Sequence, residues 1–179
     1  MSLPKPPSLG LIACPGTETF AADIVENIQQ LFIKKTKRKA EVIAEKYSID
    51  SKEILKRLNF AVDLHSLVVD ENGPIDTLAV PEYTIDVRFT RFANGEFKAE
   101  ILNSVRGVDV YILQDVENHD PLNFYNDECS YSLSVNDHVM LLFATIDAVL
   151  QASARSVTVV VPSYPFARQH QKKGREAVN

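Results

Sequence analysis

Two apolar runs, residues 108–114 (VDVYILQ) and 157–161 (VTVVV), are separated by one strongly amphipathic segment. Nearly continuous apolar strands mark a sheet buried on both faces. Two such strands joined through a helix must lie parallel, and the crossover must be right-handed. The helix starts at Ser134, a residue that caps helices, and spacing places Val139, Leu142, Phe143, Ile146, Val149 and Leu150 on one face. The chain is therefore read as α/β, with helices covering a parallel sheet.

The amino-terminal part extends the pattern. Residues 9–14 (LGLIAC) form a short apolar strand ended by Pro15-Gly16. Thr17 is positioned as an N-cap with Glu18 in the first turn. Phe20, Ile24, Ile28, Leu31 and Phe32 recur at helical spacing, and this helix is expected to reach about Tyr47. Asp50 and Glu53 have the spacing of a capping box before Ile54, Leu55 and Leu58. Residues 60–83 mix signals: Val62, Leu64 and residues 67–69 suit strands, and Asn72-Gly73-Pro74 suits a turn.

Ile85, Val87 and Phe89 alternate with polar neighbours, as do Phe97, Ala99 and Ile101, and Asn94-Gly95 lies between the two runs. That dipeptide between alternating runs predicts a β-hairpin over residues 85–103 with a type I′ turn, Asn94 and Gly95 both at positive φ. A projecting hairpin buries little by itself. With Phe89, Phe92 and Phe97 it is expected to expose apolar area that another subunit or a ligand covers.

A chain of 179 residues suits one domain, read as residues 9–179 after a disordered tail at 1–8. The formal net charge of −5 gives no general attraction to nucleic acid. The basic run at residues 34–39 is read as a solvated helix face. No apolar run reaches membrane-spanning length, and the proline-rich start is unlike a signal peptide. Two cysteines, Cys14 and Cys129, in a chain this large point to a reduced, cytoplasmic setting rather than a disulfide framework.

Ligands of open α/β sheets collect outside the carboxyl ends of the strands. Two such ends are legible, at Gln114-Asp115 and at residues 162–169 (PSYPFARQ). Prolines there restrict the backbone and hold Arg168, whose fork of donors suits phosphate oxygens. The competing reading makes Arg168 a helix cap or a surface ion-pair partner. At the hairpin tip, Phe92 can stack on a base while Asn94 or Glu96 bonds its edge; alternatively Phe92 packs on its own domain. His65, His119, His138 and His170 match no metal-site spacing, and no Walker A or dinucleotide-binding glycine pattern occurs. Pro15-Gly16-Thr17 at a helix start is a minor candidate for an anion.

Several stretches together resemble one family, ribose-phosphate pyrophosphokinase (phosphoribosyl diphosphate synthetase). They are RFANGE at 91–96, SVRG at 104–107 leading into DVYILQ at 109–114, VND at 135–137, IDA at 146–148, ASAR at 152–155 and PSYPFARQ at 162–169. The resemblance implies transfer of the diphosphoryl group of ATP to ribose 5-phosphate, with Mg²⁺ whose ligands lie outside this chain. It implies a phosphoribosyltransferase-like, three-layer parallel sheet with a protruding hairpin flag, of which this chain is the amino-terminal half. It implies a homo-oligomer in which the flag serves a neighbouring subunit's site. By the same resemblance Phe92, Asn94, Glu96, Arg168 and Gln169 bind ATP, and Ser104 and Arg106 lie at a regulatory phosphate site. The ribose 5-phosphate site is expected in the missing half, so the chain alone is expected to be inactive. Departures are His170 and Leu141, each where the family carries an acid, and a long helical insert at about 34–84 before the flag. They leave a second reading: a non-catalytic homologue that binds nucleotide or a partner synthetase as a regulatory subunit.

Overall fold

A computed structural model describes residues 8–58, 80–125 and 127–167. Ser8, expected in a tail at 1–8, is instead the first residue of a strand, while the rest of that tail, the strand candidates at Val62, Leu64 and 67–69, the turn at residues 72–74 and the residues from Arg168 onward lie outside the described residues. The elements are β1 (Ser8–Ala13), α1 (Glu18–Tyr47), α2 (Ser51–Leu58), β2 (Val87–Arg91), β3 (Phe97–Ile101) and β4 (Val108–Leu113). They continue with β5 (Leu122–Asn123), β6 (Ser130–Tyr131), α3 (Val135–Gln151) and β7 (Ser156–Val160).

The central sheet has the order β1-β4-β7 and is parallel throughout, with Ile12 opposite Ile112 and Ile112 opposite Val159. Side chains alternate between its faces, as the pleat requires. Leu11 and Leu113, with Ala13 and Tyr111, pack against Ala21, Ile24 and Val25 of α1. Ile12, Val110 and Ile112 pack on the other face with Leu141, Leu142 and Val149 of α3. The result is helix, sheet, helix. Each fully buried aliphatic side chain here contributes about 2 kcal/mol. Past β1, the extended stretch at 83–85 runs alongside Leu11: Leu11 N donates to Tyr83 O at 2.7 Å and Ile85 N donates to Leu11 O at 2.8 Å.

The strand–helix–strand unit is as expected, but its buried surfaces differ from the periodicity reading. In α3 the buried positions are His138, Leu141, Leu142, Thr145 and Val149, whereas Phe143 and Leu150 are exposed. In α1, Ala21, Thr36 and Ala40 are buried while Phe20 and Leu31 face solvent. Strand β7 is an edge with Thr158, Val159 and Val160 exposed, not a fully buried strand. The insert is helical only through α1 and α2 among its described residues; residues 80–86 form no helix or strand beyond one parallel bridge from Thr84 to Leu11.

The hairpin forms where expected, with Arg91 opposite Phe97 and Phe89 opposite Ala99. Its turn is different. Phe92 O accepts from Gly95 N at 2.8 Å, and of the tip residues only Gly95 has positive φ, at 91°. Phe92 N then donates to Glu96 O at 2.8 Å. This is the longer loop in which a left-handed glycine closes a bulge, not a type I′ turn. Asn94 instead accepts from Glu96 N through Oδ1 at 3.1 Å.

No helix among the described residues is long and apolar enough to cross a membrane.

Candidate functional site

The carboxyl ends of β1 and β4 are tied together by buried polar groups. Thr17, expected to cap α1 with its side chain, makes no such bond. Its hydroxyl donates to Cys14 O at 2.7 Å and approaches Leu113 O at 3.4 Å, clasping the two strand ends. Gly16 N donates to Glu18 Oε2 at 2.9 Å, so the backbone group an anion would use at this helix start already has an acceptor. The Pro15-Gly16-Thr17 candidate is thereby disfavoured.

Beyond β4, Gln114 and His138 are fully buried. Gln114 Nε2 donates to Asp115 O at 2.9 Å and lies 3.1 Å from His138 Nδ1. That contact makes Nδ1 the acceptor, so the proton sits on Nε2, which donates to Asn118 O at 3.0 Å. Asn118 Nδ2 in turn donates to Gly16 O at 3.2 Å. The chain of bonds joins β1, β4 and α3 at one end of the sheet. Gln114 N also donates to Val160 O at 3.1 Å, fixing the exit of β7. Sequence reasoning weighed His138 only as a metal ligand and Thr17 only as an N-cap and part of a minor anion candidate, because polar residues do not contribute to an apolar pattern; their signal is adjacency to strand ends.

From that exit the chain turns through Pro162, Ser163, Tyr164, Pro165 and Phe166. Phe166 holds a left-handed φ of 59°, an uncommon conformation for an aromatic residue. Tyr164 is the most exposed large side chain in the turn, at 80%. Ala167 is the last described residue, so Arg168 and Gln169 lie immediately beyond it.

The hairpin is more deeply seated than expected. Phe89 is buried, and Phe97, Ala99 and Ile101 pack against the core. Phe97 also meets Phe124, with ring centroids 5.7 Å apart. The expected exposure of Phe89 and Phe97 is therefore corrected: their apolar area is covered within the chain. Phe92 at the tip remains 45% exposed, and Asn94 and Glu96 are exposed beside it. A short antiparallel arm, β5 with β6, braces the hairpin, a feature the sequence reading treated as a polar loop. Tyr125 N donates to Phe89 O at 2.8 Å, the Arg88 guanidinium lies 4.3 Å from the centre of the Tyr125 ring, and Arg91 lies 4.2 Å from that of Tyr131. The Tyr131 side chain hydrogen-bonds Asp127. The Cys129 backbone and then Tyr131 hold the Asp127 carboxyl below its usual range.

Ser104 and Arg106 fall elsewhere. Both are exposed and flank buried Val105, in the turn entering the amino end of β4. Gly107 N donates to Ser153 O at 3.1 Å, and Arg155 N to Val108 O at 2.8 Å, so this turn sits beside the start of β7. The Asp109 carboxyl there is lowered by hydrogen bonds from Ser156 and from Arg155. Ser104 and Arg106 are thus at the opposite end of the sheet from the exit toward Arg168. Among the described residues, no group of three or more His, Cys, Asp or Glu is arranged to hold a metal.

A parallel α/β sheet with ligand candidates at its strand ends and a braced hairpin beside it defines the class. Residues 75–179, more than half of the chain, match the N-terminal domain of ribose phosphate pyrophosphokinase, and the chain belongs to that family. A chloroplastic ribose-phosphate pyrophosphokinase 2 of rice is 42% identical over 93 residues, covering 51% of this chain and 20% of the relative. Ribose-phosphate pyrophosphokinases of Maricaulis maris and Bacillus subtilis are 43% and 38% identical over 84 and 90 residues, covering 47% and 50% of this chain. The aligned parts are 22% and 24% of those two relatives. The matches therefore cover about a fifth to a quarter of the length of these curated relatives. The phosphoribosylpyrophosphate synthetase of Mycobacterium smegmatis has a solved structure that aligns with a TM-score of 0.49 at 22% identity, covering 94% of this chain and 35% of that one.

Proposed function

We propose that this chain is the ATP-binding and assembly half of a ribose-phosphate pyrophosphokinase, which moves the diphosphoryl group of ATP to ribose 5-phosphate and releases AMP. The carrying observation is the hairpin tip: Phe92 stays 45% exposed although the other aromatics of the hairpin are buried or half-buried, and hydrogen bonds fix the loop that holds it. An exposed ring on a fixed tip is suited to stack on adenine. Glu96 can accept from the adenine amino group. Because Asn94 Oδ1 is engaged with Glu96 N, its Nδ2 is the group available to donate to a ring nitrogen.

Arg168 and Gln169 follow the β7 exit and hold the phosphates in this reading. Diphosphoryl transfer needs the phosphates held in line and the developing charge neutralised, and a fixed guanidinium supplies part of that. Mg²⁺ belongs to the reaction as the family carries it out. Among the described residues no group of three or more His, Cys, Asp or Glu is arranged to hold a metal, and no step here runs through Mg²⁺. The tip acts on the site of a neighbouring subunit, which makes the working form a homo-oligomer. Ser104 and Arg106, at the other end of the sheet, form a separate regulatory phosphate site. The isolated chain is inactive because the ribose 5-phosphate site lies elsewhere.

The test is AMP formation from ATP, ribose 5-phosphate and Mg²⁺ by the full-length protein. Arg168→Ala should lower turnover by about a hundredfold, while Lys172→Ala changes it little. Near-normal turnover in Arg168→Ala removes that residue from the site. A second reading is favoured by Leu141, which is fully buried in the core where the family carries an acid. In that reading the chain is a non-catalytic homologue that regulates a partner synthetase. Full-length protein that binds ATP yet forms no AMP supports it.

A further inference from the structure

Among the described residues β7 is an edge strand, so the sheet holds its exit from the β4 side alone, where Gln114 N donates to Val160 O at 3.1 Å. The turn that follows carries Pro162, Pro165 and the left-handed Phe166. Proline has no N–H to add to a ladder, and a strained aromatic keeps its conformation only where its surroundings fix it. Gln114 is therefore the anchor from which the chain sets out toward Arg168.

Gln114 is in turn oriented by His138, and both are fully buried. The His138 ring donates from Nε2 to Asn118 O at 3.0 Å and presents Nδ1 as an acceptor, 3.1 Å from Gln114 Nε2. The same amide nitrogen donates to Asp115 O at 2.9 Å. Both of its hydrogens are thus used, while Gln114 Oε1 is buried with no hydrogen-bond partner among the described residues. Turning the amide over would set Oε1 against Asp115 O and against the lone pair of Nδ1. A buried carbonyl without a donor costs stability, and such a group in a folded protein calls for an explanation. Here the ring imposes the orientation of the amide at that cost.

We propose that His138 is a positioning residue: through Gln114 it fixes the exit of β7 and thereby the phosphate grip of Arg168 and Gln169. This rests on the reading of those two residues given above. His138 acts through the atom it presents at Nδ1, not on substrate. Gln114 meets α3 with its side chain and β7 with its backbone, so a loosened amide frees the peptide that bonds Val160 O.

Two substitutions separate the two ends of the ring. His138→Asn places an amide at the position of Nδ1, where it accepts from Gln114 but does not reach Asn118 O. His138→Gln reaches the position of Nε2, where it donates to Asn118 O but turns only a methylene toward Gln114. Each loses one buried hydrogen bond, so a merely structural role predicts that the two behave alike. Initial rates of the full-length protein are measured with ATP and ribose 5-phosphate varied in turn. His138→Gln should lower kcat/KM for ATP by about tenfold and leave KM for ribose 5-phosphate unchanged, because a misplaced grip acts on ATP. His138→Asn should keep most of the wild-type value. Amide exchange followed by mass spectrometry gives a readout independent of activity: His138→Gln should speed exchange at Gln114 N–H, and His138→Asn should not. Equal kcat/KM for ATP in the two variants would overturn the proposal, and so would exchange in His138→Gln as slow as in wild type. Should His138→Gln not fold, Gln114→Met, close to glutamine in volume, removes the amide and should lower kcat/KM for ATP in the same way; wild-type kinetics there would also overturn the proposal. Wild-type protein that forms no AMP would overturn the proposed function instead, and the exchange comparison would then decide whether His138 holds the exit of β7.

Discussion

The Arg91 guanidinium lies 4.2 Å from the centre of the Tyr131 ring, joining the last residue of β2 to the arm that follows β4. Tyr131 in turn bonds Asp127, and Arg91 lies in the field of Asp127 and of Asp137 in the first turn of α3. A cation held over a ring in this way contributes about 1 kcal/mol. Arg91→Met should therefore lower stability by about that amount in denaturant titration. It should also speed hydrogen exchange at the tip amides of Phe92 and Gly95. Unchanged exchange would mean that the arm does not brace the tip.

The capping box of α3 should leave a pH signature. Ser134 Oγ accepts from Asp137 N at 3.2 Å, and Asp137 Oδ2 accepts from Ser134 N at 2.9 Å. The Ser134 hydroxyl and then its backbone N–H hold the Asp137 carboxyl below its usual value. A carboxyl depressed in the folded state stabilises above its unfolded value, about pH 4, and loses that contribution as pH falls through the folded value. Asp137→Asn should cost about 1 kcal/mol at pH 7. The difference from wild type should shrink as pH drops below about 4. A difference constant with pH would show that the charge plays no part.

Gly16 and Gly107 should respond differently to alanine. Both have positive φ, 91° and 74°. A Cβ on Gly16 would fall 2.0 Å from Asn118 Nδ2 and displace the side chain that bonds Gly16 O, whereas one on Gly107 meets nothing within 4 Å. Gly107→Ala should cost only the left-handed backbone term, about 1–2 kcal/mol. Gly16→Ala should cost more and should perturb the His138 ring resonances in nuclear magnetic resonance spectra. Equal costs would contradict the clasp at the strand ends.

The parts read correctly from sequence are those with strong local chemistry. Ser134 set the start of α3, Asn94-Gly95 located the hairpin, and apolar runs located the parallel strands. The misread parts share one cause: tertiary partners satisfy polar groups that an apolar pattern cannot count. His138 is buried because Gln114 and Asn118 meet both ring nitrogens, and Thr145 because its hydroxyl donates to Leu141 O at 2.8 Å. That rotates the buried face of α3 away from Phe143. Thr17 is the N-cap residue of α1, but its hydroxyl bonds the strand ends instead of the helix for the same reason. At the hairpin, the Asn-Gly dipeptide fixed the turn's location, but Asn94 kept ordinary φ because its side chain bonds Glu96 N and Gly95 alone supplies the bulge. Of the expected site, Phe92, Asn94 and Glu96 share one tip, and Ser104 and Arg106 flank Val105 at the other end of the sheet.

The two cysteines should differ in reactivity. Cys14 is buried, and desolvation pushes its thiol up to about 12, whereas Cys129 is exposed on the arm. Only the thiolate attacks, so a thiol reagent at neutral pH should modify one cysteine per folded chain and the second only on unfolding. Modification of both at the same rate would show that the β1 end opens readily.

The most direct test mixes two inactive variants of the full-length protein. In the proposed function, Phe92→Ala would disable the tip that a subunit lends, and Arg168→Ala the phosphate grip it keeps. If the two parts of the ATP site come from different subunits, dissociating and reassembling the variants together should recover AMP formation well above the sum of the separate variants. Some sites would then combine an intact tip with an intact Arg168. Activity no greater than that sum would contradict a site shared between subunits.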